Sequence, residues 1–128
     1  MLELLTQEMR DEGIKIIEAL DQTEDKPTSA MWSFINNEWI FMLASMSTRV
    51  ERPEDRNPAG ARIGKIIKEV VPGRDIKFAL TGPSSRYFRN LSMMIGTGPD
   101  DISGIQMSNN FVNGENTGEN YVYRLSIQ

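Results

Sequence analysis

The chain of 128 residues has no cysteine and no histidine. Without cysteine, no disulfide framework, thiolate nucleophile or Cys/His zinc site can be built. Without histidine, the Ser-His-Asp and Cys-His catalytic designs are excluded. Neither GxGxxG nor GxxxxGK[ST] occurs, so both nucleotide-binding loop motifs are missing and no cofactor is expected. No apolar run approaches the roughly 20 residues of a membrane span. The start carries acids where a signal peptide needs positive charge. Together these predict a cytoplasmic protein with no membrane partner. Chemistry is left to Asp, Glu, Lys, Tyr, Ser and Thr, or to an oxygen-ligated metal.

What is present has globular composition, with 39% apolar and 25% charged residues. The length suits one domain, residues 1–128. Leu2, Leu5, Met9, Gly13, Ile16, Ile17 and Leu20 form one helical stripe, which predicts a helix over 2–20. Gly13 either weakens that helix or lets another element pack close. Ala30, Trp32 and Phe34, then Trp39, Phe41 and Leu43, read as two strands. Asn36-Asn37 between them tolerates positive φ and suits a tight hairpin. Ser47 to Pro58 reads as an exposed loop. Ile63, Ile66, Ile67, Val70 and Val71 predict a short helix between Pro58 and Pro72-Gly73.

Residues 75–80 make a strand candidate. Ser84 can cap a helix to about Ile95, with Phe88, Leu91, Met94 and Ile95 inward. Residues 102–107, 111–112 and 121–127 read as short strands, the first two joined through Asn109-Asn110. In the last, Val122, Arg124 and Ser126 are expected to face opposite to Tyr121, Tyr123, Leu125 and Ile127. The order is α-ββ-α-β-α-βββ. It predicts an α+β domain with an antiparallel or mixed sheet of five to six strands and helices on one face.

The runs PAGARIGKIIKEV and DIKFALTGPSSRYFRNLSMMIGTGPDDISGIQMS, with NNFVNG and a closing YVYRL, resemble a group of small bacterial proteins. Members share a helix, a strand, a second helix ending in TGP, a strand, and an Asn-Gly segment before a final Tyr-x-Tyr-Arg strand. The resemblance runs from about residue 10 to 125 and includes EDKPTSAMWSFINNEWIFMLAS. It implies an intact single domain and carries no established activity. The tail NGENTGENYVYRL is more polar than that pattern.

Charge is segregated along the chain. Residues 1–25 hold eight acids and two bases, and residues 62–89 hold seven bases and two acids. Arg62, Lys65 and Lys68 lie along one side of a helix, and Arg86 and Arg89 along the next. With Ser84 and Ser85 at the start of that second helix, they are the candidate binding residues for an anion or an acidic partner. The structural alternative is two amphipathic helices with solvated sides, paired with the acidic first helix. A net charge of −4 opposes strong duplex binding. Asp100, Asp101, Glu115 and Glu119 match no calcium-loop spacing, so no metal site is expected. Trp32, Phe34, Trp39, Phe41, Tyr121 and Tyr123 read as core or cross-strand pairs. Met31, Met42, Met46, Met93, Met94 and Met107 read as core fillers.

The functional expectation is a non-enzymatic module acting by protein–protein contact through a helix face or an uncovered sheet edge. Its partner includes the option of a second copy of itself. The alternative is a binder of a phosphorylated ligand or nucleic acid through the basic helices of 62–89.

Overall fold

The structure, a computed structural model, describes residues 4–50, 52–83, 85–112 and 115–126, without the side chains of 108–118. Ser84, a candidate binding residue, lies outside the described residues, as does the side chain of Glu115.

Three helices and a five-stranded mixed sheet form the α+β fold that the pattern predicts. The elements are α1 (Gln7–Leu20), β1 (Pro27–Ile35), β2 (Glu38–Ser45), α2 (Asn57–Val70), β3 (Phe78–Thr81), α3 (Arg86–Ser92), β4 (Ile105–Val112) and β5 (Glu115–Leu125). The sheet order is β3-β2-β1-β5-β4. Only β2 and β3 run parallel, joined by α2; the other neighbours are antiparallel.

Local chemistry explains the element ends. α1 starts later than its stripe because the Thr6 hydroxyl accepts from Met9 N at 3.1 Å and caps it. Leu5 still reaches the core. Asn36 and Asn37 turn the β1–β2 hairpin with φ of 52° and 64°. Pro58 sits in the first turn of α2, where its missing N–H costs nothing. α3 stops at Ser92, short of the expected Ile95, and Met94 is exposed rather than inward.

The helices do not share one face, as the sequence order suggests they should. Ile16, Ile17 and Leu20 of α1 and Ile63 and Ile67 of α2 pack on Ala30, Trp32, Phe41, Leu43 and Tyr123. Phe88 and Leu91 of α3 pack on the other face, against Met31, Ala44, Met107, Val122 and Leu125. The reason is visible in β1 and β2. Both strands carry buried or half-buried apolar side chains on both faces, so both faces need covering. Met31, Met42 and Met107 fill the second core as expected, while Met46, Met93 and Met94 are exposed.

Two strand expectations change. Asn109-Asn110 does not turn the chain. β4 runs through it with register shifts on either side of Asn110, so the pair's turn preference is absorbed as an irregularity within the strand. The expected strands 102–107 and 111–112 are therefore one. In β5 the alternation breaks where Met31 pairs with Val122 but Ala30 pairs with Arg124. The extra residue is Tyr123. This bulge sends both Tyr123 and Arg124 toward α1.

The bulge also answers the Gly13 question. A Cβ at Gly13 would lie 2.3 Å from the Tyr123 hydroxyl oxygen. Gly13 lets Tyr123 pack flush against α1, where its hydroxyl donates to Arg10 O at 2.7 Å.

Candidate functional site

The seven bases of 62–89 divide by what they touch. Arg62 leaves α2 toward the loop after α1, and its Nε and Nη2 donate to the two Asp25 oxygens at 2.9 and 2.8 Å. Glu24 sits 3.2 Å from the same guanidinium. Asp25 is 1% exposed. The bidentate Arg62 bond holds its carboxyl below the usual range, against the opposing effect of burial, and Ser47 adds a donor at 2.6 Å. Arg74 pairs with Glu12 at 2.7 Å and Glu8 at 3.3 Å. Lys77 pairs with Glu38 at 2.6 Å, which raises the Lys77 pKa. The acidic N-terminal segment thus neutralises Arg62 and Arg74 within the chain.

Lys65 and Lys68 have no such partner. Both are exposed on α2, and no carboxylate of the described residues lies in ion-pair range of either. They stand on the rim of an open groove of about 800 Å³ between α2 and the segment that enters β3. Its floor includes Ile76 and Phe78, and its charged lining is Lys65, Lys68, Arg74 and Asp75. Past Gly60 and Phe78 a second hollow of about 490 Å³ continues to Leu80 and Arg56. Arg56 there donates its Nε to Thr48 O at 3.0 Å. The floor lies close to the helix because α2 has glycine where it meets β3. A Cβ at Gly64 would sit 3.4 Å from the Phe78 ring, and one at Gly60 would sit 3.6 Å from Leu80.

Ser85, Arg86 and Arg89 belong to the other layer. Arg86 and Arg89 are exposed on α3, across the sheet from α2. The structure therefore brings Lys65 and Lys68 together on the groove rim and separates them from Arg86 and Arg89. Ser85 caps α3, its hydroxyl accepting from Phe88 N at 3.4 Å. That hydroxyl is engaged in capping a helix of seven residues.

The remaining polar clusters link elements of the fold. Arg124 is fully buried and holds both Asp21 oxygens at 2.8 and 2.9 Å, with Pro27 O and Asp101 O as further acceptors. Tyr87 lies 2.8 Å from Ser33 Oγ and 2.6 Å from Asn120 Oδ1. Burial raises the pKa of Tyr87 and of Tyr123. Ser47 and Ser45 form a chain of hydroxyls leading to Asp25, but the Arg62 fork occupies that carboxylate and makes it a poor base. Asp100 pairs with Lys26, which lowers its pKa, and Asp101 accepts from Gly98 N at 2.8 Å. Among the described residues no group of three or more Asp and Glu could hold a metal ion.

Two features escaped sequence reasoning. The Arg62–Asp25 fork joins positions far apart in the chain, and no local pattern announces it. The open edge of β3 becomes visible only once the strand order is known. No described helix is long and apolar enough to cross a membrane. Comparison of the chain with protein-family models, with curated proteins and with solved structures finds no match in any of the three.

Proposed function

We propose that this chain is a non-enzymatic binding module that works by protein–protein contact at the α2–β3 face. One observation carries the reading: β3 is an edge strand whose Phe78 lines the groove that Lys65 and Lys68 overlook and, with Leu80, the adjoining hollow. Half-buried apolar side chains beside an open strand edge are a mark of an interaction site. The Asp25, Asp21 and Tyr87 clusters are engaged with partners within the chain, which favours binding over catalysis.

The alternative, a phosphorylated ligand or nucleic acid held by the bases of 62–89, has less support. Those bases lie on opposite layers, and Arg62, Arg74 and Lys77 already hold carboxylates. Nucleic-acid affinity needs several cations aimed at one backbone. On its resemblance to small bacterial proteins, we place the module in the bacterial cytoplasm.

Photo-crosslinking in living cells tests the reading. Benzoylphenylalanine at Ala61, an exposed groove residue, is expected to give discrete protein adducts. The same residue at Arg89, on the opposite layer, is expected to give none. Equal adducts from both positions, or adducts to nucleic acid alone, contradict the proposal.

A further inference from the structure

Parallel pairing fixes which main-chain groups of β3 face outward. Phe41 pairs with Phe78 and Leu43 with Leu80, and Phe41 N donates to Lys77 O at 2.9 Å. In that register Lys77, Ala79 and Thr81 supply the groups that bond β2. The N–H and C=O of Phe78 and Leu80 therefore point away from β2. Neither residue finds a hydrogen-bond partner for them among the described residues. Natural edge strands are blunted by being very short, as β3 is at four residues, or by proline, charge or a covering element. The β3 sequence Phe-Ala-Leu-Thr has neither proline nor charge, and an open hollow borders it.

The surroundings select the occupant. The groove floor is apolar, so an added strand can seat an apolar side chain on Phe78 and Leu80. The rim offers the unpaired cations Lys65 and Lys68, while Arg74 is already neutralised by Glu8 and Glu12. Asp75 is the one carboxylate of the lining. Charge complementarity therefore asks for acidic side chains on the incoming segment. A second copy fits less well. Symmetric pairing of two β3 edges would set two Lys65–Lys68 rims at one contact, and like charges oppose that.

We infer that the α2–β3 groove takes an extended acidic segment of a partner protein, which adds as a strand beside β3 and lays its carboxylates along Lys65 and Lys68. This rests on reading the α2–β3 face as an interaction surface. It goes further in naming the mode, main-chain strand addition, and the chemistry of the partner.

The probe is the peptide acetyl-Val-Glu-Val-Glu-Val-Glu-amide, added to the full chain and followed by residue-resolved amide exchange. In the free protein the Phe78 and Leu80 amides should exchange faster than those of Ala79 and Thr81. The peptide should slow Phe78 and Leu80 by about tenfold and leave Ala79 little changed. The Val-Lys counterpart should have no effect, and Lys65→Gln with Lys68→Gln should weaken the response. A second variant, Leu80→Pro, removes an outward donor without removing a β2 bond and should also lower the response. Binding of the acidic peptide without slowing at Phe78 and Leu80 overturns strand addition. So does slow exchange there in the absence of peptide with a dimer by light scattering, which would assign the edge to self-pairing. A protein adduct at Ala61 that leaves the two amides unprotected defeats this inference and spares the interaction reading. Absence of any adduct on that face defeats both.

Discussion

Arg62 and the Lys65–Lys68 pair sit on the same helix, within two turns of one another, yet they do different work. Arg62 is drawn down onto a nearly inaccessible carboxylate and ties α2 to the loop after α1. Lys65 and Lys68 reach solvent over a groove and touch no acid of the described residues. The contrast follows from depth. A buried carboxylate such as Asp25 must be paired, and a planar guanidinium can satisfy both its oxygens at once. An ammonium on a long stem at the rim has no such demand on it. A basic helix is thus partly fold and partly surface, and the spacing of the cations does not separate the two.

The structural side of this comparison should break hardest where a partner is most buried. Asp21→Ala leaves the fully buried Arg124 without its counter-charge. We expect a loss of roughly 3–5 kcal/mol, read by urea unfolding. Asp25→Asn leaves Arg62 its exposure to water, so the expected loss is smaller, about 1.5–3 kcal/mol. The same variant carries a pH signature. Asp25 has a lowered pKa in the folded state, so its contribution is full above the unfolded value of 3.8 and disappears as pH falls through the folded value. Stability of the parent should therefore drop on acidification below about pH 4, and Asp25→Asn should flatten that limb.

Gly13→Ala tests the close approach of α1 to the β5 bulge. Helix preference alone favours Ala by about 1 kcal/mol. The Tyr123 hydroxyl, held by Arg10 O and lying 3.1 Å from Trp32 Nε1, cannot easily give way. A net loss of about 1–3 kcal/mol is expected, read by thermal or urea unfolding. The exposed pair Lys26–Asp100 should matter least. Lys26→Ala is expected to shift stability by about 0–1 kcal/mol, and salt should erase the difference.

The sequence discloses what is local. The hairpin at Asn36-Asn37, the stripe of α1, the Pro-bounded α2 and the option of close packing at Gly13 all follow from residues near one another in the chain. What it hides depends on distant partners. The bulge at Tyr123 is set by pairing with β1, and simple alternation misassigns Arg124 because of it. The division of helices between two faces depends on β1 and β2 being buried on both sides. At Asn109-Asn110 the local turn preference loses to the pairing of β4 with β5. Of the candidate site, Lys65 and Lys68 were legible as cations on one helix side. Their separation from Arg86 and Arg89 was not, since a sheet stands between them.

The spare cations give the most direct test of the account. Lys65→Glu with Lys68→Glu should leave the unfolding free energy from urea titration within about 0.5 kcal/mol of the parent, as surface substitutions do, while the Ala61 crosslinked adduct disappears. Survival of the adduct, or a stability loss as large as that of Asp25→Asn, would contradict the division between structural and free charge on α2.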